Sequence, residues 1–433
     1  AGRDFIDSLS SPSDVVQLGG PGALDVVAGR NVDLGFSDGI ATIGNLKNPN
    51  LAAAQGAALT VVAGLTQAAD FGGFLKTIIE PSSVDQQTLV EYVQAQTGES
   101  GLTPAQADAA FASFTENQQR ALIDQVFFNE LLLSGREANN TPGADFKRGY
   151  AAIDALFPMS RSSTQTSGDN PYAGDLSLTF SRLYTISGGS ISLLVPGGQI
   201  DVGLANPPAG VPLRQPSQLG IVAQGAGDVD IYSKGDVLVN ASRIFTLGGG
   251  NILIWSDEGS IDAGRGSKSS LSVPPPQIVF DALGNATLSL SGAVAGSGIR
   301  TIQIDPSVAA GNVDLIAPVG TVNAGDAGIG AAGNINIAAQ AVLGAGNINF
   351  GGSASGVPAQ VSNIGASLAG ASAAAGSTTN AATASANQEA SKATTAPLAQ
   401  TALSWLDVFV TGLGEDNCKP EDLECLKRQL PSK

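Results

Sequence analysis

A stretch of 30 residues occurs twice in this chain without a gap: residues 174–203 and 235–264 align at an offset of 61. Gly174, Asp175, Gly189, Gly198, Asp201 and Gly203 in the first copy match Gly235, Asp236, Gly250, Gly259, Asp262 and Gly264 in the second. Ser181/Ser242, Arg182/Arg243, Thr185/Thr246, Gly188/Gly249, Ile191/Ile252 and Ile200/Ile261 are also identical. A further step of 61 residues keeps Gly311, Gly320 and Gly325 in phase. Such self-similarity marks a stacked architecture, in which one unit cannot bury its apolar face alone.

The units that stack are expected to be short strands. Runs such as Val229-Asp230-Ile231-Tyr232, Val237-Leu238-Val239-Asn240 and Ile252-Leu253-Ile254-Trp255 read as alternating strands closed by Gly with Asp or Asn. Their spacing leaves room for a corner but not for a crossover helix. Glycine supplies the positive φ of a sharp corner, and a neighbouring Asp or Asn bonds its own backbone. The shared Gly and Asp positions are therefore read as structural corners of a β-solenoid. A β-sandwich would also show short strands, but it does not call for an ungapped repeat. Asn after Gly, as in Gly333-Asn334 and Gly346-Asn347, suggests stacked turn asparagines, since a metal site would need denser carboxylates.

Composition narrows the function. The net charge is −17, with 38 acidic and 21 basic residues, which argues against a nucleic-acid partner. The chain has no histidine, which removes the commonest general base and metal ligand, and no cofactor or metal is expected. The one methionine is Met159, so the sequence reads as the C-terminal part of a longer polypeptide. No apolar run approaches the roughly 18 residues of a membrane helix.

Along the chain, residues 1–69 read as solenoid coils. Residues 70–158 change texture: Ser83-Val84-Asp85-Gln86 and Thr103-Pro104-Ala105-Gln106 fit capping boxes, and Phe111, Phe114, Leu122, Val126 and Leu133 fall on helical spacings. An insertion of three or four short helices is expected, with Phe127-Phe128 and Leu131-Leu132-Leu133 forming an internal core or docking onto the solenoid. Coils resume over 159–350, interrupted by Pro-rich excursions at 205–218 and 267–277. Ile278-Val279-Phe280 and Ala286 to Leu290 read as continuing coil strands. Residues 351–401, rich in Ala, Ser and Thr, form a flexible tether, and 402–433 a C-terminal strand and tail.

Residues 174–198, GLANPPAG and residues 235–266 together resemble the C-terminal region of filamentous-haemagglutinin-like exoproteins, the large two-partner-secreted adhesins of Gram-negative bacteria. The resemblance covers most of residues 1–350. It implies a mainly β fold, a right-handed parallel β-helix, and a partner in an outer-membrane barrel transporter. The tail resembles that of adhesins held on the cell by a small C-terminal cysteine loop that cannot pass the barrel pore. Cys418 and Cys425 are the only cysteines and occupy that place; the alternatives are a local staple or two free thiols. In the tether, Ala373-Ala374-Ala375-Gly376 resembles the site at which periplasmic cysteine proteases release retained adhesins.

The leading expectation is a non-enzymatic adhesin at the cell surface, active in biofilm attachment and binding a receptor or an extracellular polysaccharide. A second makes the helical insertion a partner-binding module. A third is a polysaccharide-binding or polysaccharide-cleaving β-helix with Asp228, Asp230, Asp257 and Asp262 converging on a surface. Against it, Asp201 and Asp262 recur at equivalent repeat positions, which suits corners, and Arg182 and Arg243 recur as surface or ladder residues.

Overall fold

The structure, a computed structural model, describes residues 1–7, 15–48, 50–51, 56–161, 170–204, 214, 218–266, 277–280, 286–289 and 296–358. The cysteine pair, the motif at 373–376, the tether beyond 358 and the C-terminal strand lie outside the described residues, as does most of each Pro-rich excursion.

The described chain is mainly parallel β, and its strands fall into three columns visited in strict rotation. The first column holds Ala23–Val27, Ala58–Val62, Ile191–Val195, Val229–Ser233 and Ile252–Ser256, then the first part of Val313–Asn323 and of Ile335–Leu343, and finally Ala354–Ser355. The second holds two-residue strands, among them Val32–Asp33, Leu176–Ser177, Ile200–Asp201, Val237–Leu238 and Ile261–Asp262, and ends on the second part of the two long strands. The third runs from Val15–Gly19 through Gly39–Gly44, Arg182–Thr185, Gly220–Ala223, Arg243–Thr246, Gly298–Thr301 and Ile329–Ala331 to Ile348–Phe350. One circuit through the three columns is one coil.

Register explains the core. Val61, Leu193, Ile231, Ile254, Leu315 and Ile337 lie over one another in the first column. Val32, Leu176, Ile200, Val237, Ile261 and Val322 do so in the second, and Ile40, Leu183, Ile221, Ile244, Ile299 and Ile329 in the third. All point inward and belong to one buried cluster. Removing each such side chain from water contributes about 1.5–3 kcal/mol.

The register also decodes the repeat. From Leu176 the second column steps 24 residues to Ile200, then 37 to Val237, so one 61-residue unit is two coils. The longer step carries the first Pro-rich excursion. The next 24 lead to Ile261, but the last step of 61, to Val322, is a single coil swollen by residues 267–297.

Two strands expected to continue the stack do not. Gln277–Phe280 and Ala286–Ser289 pair with each other, antiparallel, as a separate two-stranded sheet. Only five residues join them, too few for the crossover that parallel strands need.

Between Val62 and Leu176 the chain leaves the stack, and its described residues there form five helices: α1 (Phe71–Phe74), α2 (Ser83–Thr97), α3 (Pro104–Ala112), α4 (Glu116–Asn140) and α5 (Lys147–Leu156), with a π turn at Leu75–Ile79. The insertion is richer than the expected three or four short helices, since α4 alone has 25 residues. Thr103 and Gln106 form the capping box of α3 with Pro104 at its first position. The cap of α2 falls one residue earlier than expected: Ser82 Oγ accepts from Asp85 N–H at 3.2 Å. It is a single side-chain cap and not a full capping box; the second box of the insertion is that of Thr115 and Gln118 at the start of α4.

Ile254 is stacked between Ile231 and Leu315 at the centre of the core. Ile254→Ala is expected to cost about 2–5 kcal/mol, read as a fall in the denaturant midpoint of the strand signal.

Candidate functional site

The described surface is organised by the outer face of the first column. Val62, Leu194, Tyr232, Trp255, Ile316 and Ala338 stand in register on that face, as an apolar ladder parallel to the inner one. Ile252-Leu253-Ile254-Trp255 is thus not an alternating strand; it is buried on both faces, as parallel sheets usually are.

The helices supply the cover. Tyr232 meets Phe127 edge-on at 5.3 Å and stacks on Phe157 at 5.8 Å, while Trp255 meets Phe146 at 5.9 Å and Tyr150 at 6.0 Å. Phe127, Phe128 and Leu131 share one buried cluster with the outer ladder, so the helical core and the docking surface are the same thing. Two helical glycines set the approach. A Cβ on Gly135 would lie 2.2 Å from Ile316 Cδ1, and one on Gly149 would lie 2.5 Å from Trp255 Cη2.

Helix α4 runs along the stacking direction. Twenty-five residues make a helix of about 37 Å, and eight strands at ~4.8 Å spacing make a stack of about 34 Å. Near its start, the Arg120 charge acts on Asp25 of the first column. Near its end, the Arg136 guanidinium donates to both carboxylate oxygens of Asp314, each at 2.9 Å. Asn139 Nδ2 donates to Asn336 Oδ1 and Ile337 O, each at 2.8 Å, and Asn140 Oδ1 accepts from Ser355 Oγ at 3.1 Å. Beyond α5, Arg161 donates to Asp257 at 3.0 Å and lies 3.5 Å over the Tyr150 ring. Arg148 ties α5 to α4 through both oxygens of Glu130, each at 2.7 Å.

Carboxylates near this face are held back from ionising. Burial raises Asp124 to about 7, against the opposing pull of Arg120 and with a further push from Asp25. Burial raises Asp230 to about 8, helped by the Asp228 charge. Asp25 and Asp257 are raised for the same first reason, each relieved in part by an arginine, Arg120 and Arg161 respectively.

The repeat-corner residues lie where the chain turns between columns. Asp175 Oδ1 accepts from Gln199 N–H at 2.9 Å in the next coil, and Asp236 Oδ1 accepts from Ser260 N–H at 2.7 Å. Asp262 Oδ1 accepts from Gly264 N–H at 2.7 Å, with Gly264 at φ +90°, and its Oδ2 accepts from Asn323 at 3.1 Å. Asp201 sits half-buried beside Gln199, with burial raising its carboxyl. Gly174, Gly189, Gly198, Gly203, Gly235, Gly250 and Gly259 occupy close approaches where a Cβ would meet a neighbouring coil within 3.1 Å. At the entry to the first column, Asp228, Asn251, Asn312 and Asn334 form a ladder, each side-chain oxygen accepting the backbone N–H of the next coil and the last reaching Ser353. Asn347 belongs to a different corner, donating to Gly325 O.

Asp228, Asp230, Asp257 and Asp262 therefore do not converge: two serve different corners, one lies on the outer face, and one pairs with Arg161. Among the described residues no three His, Cys, Asp or Glu gather where an ion could be held. Arg243 is not a surface residue, being 1% exposed; its Nη2 donates to Tyr184 OH at 2.7 Å and its guanidinium lies 5.3 Å over Phe245. Both arginines are ladder residues of the third column, Arg182 lying 5.1 Å over the Tyr184 ring. The outward aromatics Tyr232 and Trp255 were the missed signal: runs with large apolar groups on both phases announce a second covered face.

Residues 249–359 match the family described as filamentous haemagglutinin family outer membrane protein, which makes this stretch a region of filamentous-haemagglutinin-like exoprotein. No curated protein and no solved structure matches the chain. No helix among the described residues is long and apolar enough to cross a membrane.

Gly149→Leu is expected to lift α5 from Trp255 at a cost of about 1–3 kcal/mol. In a Trp405→Phe background, the emission of Trp255 should shift to the red and cleavage by a protease within 71–156 should quicken, with strand content unchanged. Titration supplies a second expectation. Asp124 and Asp230 bind protons more tightly folded than unfolded, so their contribution to stability is complete below about pH 4 and is lost as pH rises towards 7 and 8. Asp124→Asn with Asp230→Asn should therefore raise the melting midpoint over wild type more at pH 8 than at pH 5.

Proposed function

We propose that this chain, filamentous-haemagglutinin-like over residues 249–359, is part of a secreted surface adhesin whose shaft is a right-handed parallel β-helix. The observation that carries the reading is the unbroken three-column rotation, in which each coil offers the next a complete set of parallel strand edges. Such a shaft grows by addition and suits a long display fibre. The route out of the cell is an outer-membrane barrel of the two-partner secretion type, in keeping with the family description. The role is attachment, cell to cell or cell to matrix in a biofilm, and not catalysis. Supporting a structural role, Asp175, Asp236 and Asp262 are used in backbone bonds between and within coils.

In this reading the tail fixes the fibre at the outer membrane. Cys418 and Cys425 close a small loop that the barrel pore cannot pass, and cleavage at Ala373-Ala374-Ala375-Gly376 by a periplasmic cysteine protease would release it. The helical insertion is a cover for the first column, because its apolar face is already taken up by Tyr232 and Trp255.

The test is retention. With the exporter co-expressed, Cys418→Ser and Cys425→Ser together are expected to move most of the protein from cells into the medium, measured by immunoblot of both fractions. Unchanged retention would remove the anchor and leave the pair as a local staple.

A further inference from the structure

The outer face of the third column reads, coil by coil, Tyr184, Val222, Phe245, Arg300, Gly330 and Asn349. A cation thus takes the place that apolar groups hold in the earlier coils, and it is only 6% exposed. The other two arginines of the column are engaged. Arg182 Nε donates to Asp38 O at 3.1 Å, and Arg243 donates to Tyr184 OH at 2.7 Å and Leu219 O at 3.3 Å. Arg300 is not engaged. Among the described residues no carboxylate, carbonyl or ring takes up its guanidinium, and burial lowers its pKa with no opposing charge to restore it. A buried ion with neither counter-ion nor acceptor is costly to keep.

We propose that Arg300 anchors a binding site for one small oxyanion, a carboxylate, sulfate or phosphate held through two of its oxygens. The neighbouring coil leaves room for the guanidinium. Gly330 is the register partner of Arg300, and a Cβ there would lie 3.1 Å from Nη1; a Cβ on Gly328 would lie 3.2 Å from Nη2. The guanidinium therefore rests over two residues that carry no side chain. Of its three nitrogens only Nε is sealed without a partner, so the fork of Nη1 and Nη2 is the end that solvent reaches. Parallel N–H donors on a planar fork match two oxygens of an oxyanion. Asn349 is exposed on the rung beyond Gly330, about 4.8 Å further along the column, and its amide can donate as well. A cation would be repelled here, and a neutral ligand would leave the charge unmet. The chain as a whole carries −17 and does not gather anions generally; the attraction is local, since charges beyond about 10 Å are largely screened at 0.1 M salt. The site is read from the fold and does not rest on the adhesin reading.

The experiment is NMR of the arginine Nε–Hε resonances in the full chain, isotope-labelled at arginine and deuterated elsewhere. Sodium acetate, sulfate and phosphate are titrated separately, with ionic strength held constant by sodium chloride. One resonance is expected to move saturably with at least one oxyanion, with a dissociation constant on the order of millimolar, while those of Arg182 and Arg243 stay in place. Preference for acetate marks a carboxylate ligand, and preference for sulfate or phosphate a tetrahedral one. Arg300→Lys keeps the charge and removes the fork, so the responding resonance should vanish. Gly330→Ala keeps the charge and crowds Nη1; it should displace the same resonance before any anion is added, which identifies it should Arg300→Lys disturb the fold, and weaken the anion at least threefold with circular dichroism unchanged. Saturation with none of the three oxyanions, an equal shift with chloride, a responding resonance that persists in Arg300→Lys, or an affinity untouched by Gly330→Ala would each overturn the assignment.

Discussion

Everything in this molecule depends on parallel register from coil to coil. Each inward Val, Ile or Leu lies over its equivalent, and a slip of one residue in any strand would turn its inner ladder outward. The chain must therefore return to the same corner after every excursion, whatever the excursion contains. The corner Asp and Asn side chains enforce that return by accepting a backbone N–H from the coil above. This is why 37-residue and 61-residue steps coexist with 24-residue ones in the same column. Length is free between corners and fixed at them.

A second constraint follows from the first. Parallel strands stacked in register repeat their outer face as faithfully as their inner one, so Tyr232 and Trp255 become neighbours in a ladder and not isolated surface groups. An apolar ladder on the outer face of a column about 34 Å long needs a cover that follows the stack, and α4 matches the column in length. The cover needs no irregular fit because the ladder itself is regular. Gly135 and Gly149 bring helix backbone against Ile316 and Trp255, and α5 closes over the aromatic end.

The repeat, the corner residues and the helical texture of 70–158 were legible because each rests on local chemistry: glycine φ, Asx turns and capping boxes. The cover's attachment was harder to read. Ile252-Leu253-Ile254-Trp255 looks like a strand under any reading, and its second buried face shows only when Trp255 is counted as outward. The hairpin at 277–289 carries the composition of a coil strand; what separates it is the five-residue connection, which forces antiparallel pairing. Arg243 looks exposed by residue type, yet repeats because each guanidinium packs on aromatic rings of the third column. Two coils per repeat could not be counted in sequence because a Pro-rich excursion inflates one of them.

The hold of the cover is unequal along its length. At the far end of α4, charge-assisted bonds lock helix to strand: Arg136 on Asp314, then Asn139 on Asn336, with Arg161 on Asp257 beyond α5. At the near end, Arg120 is shared between Glu116 and the fields of Asp25 and Asp124, and its Nε has no partner. Asp124 there is raised by burial to about 7, so the docking of that end loosens as its carboxyl ionises. A carboxylate in a dry interface, only partly offset by Arg120, weakens it as it ionises. The cover is thus held by direct ion pairs and amide bonds at the far end of α4, while the near end, over Asp25, rests on apolar packing and a partly protonated carboxyl.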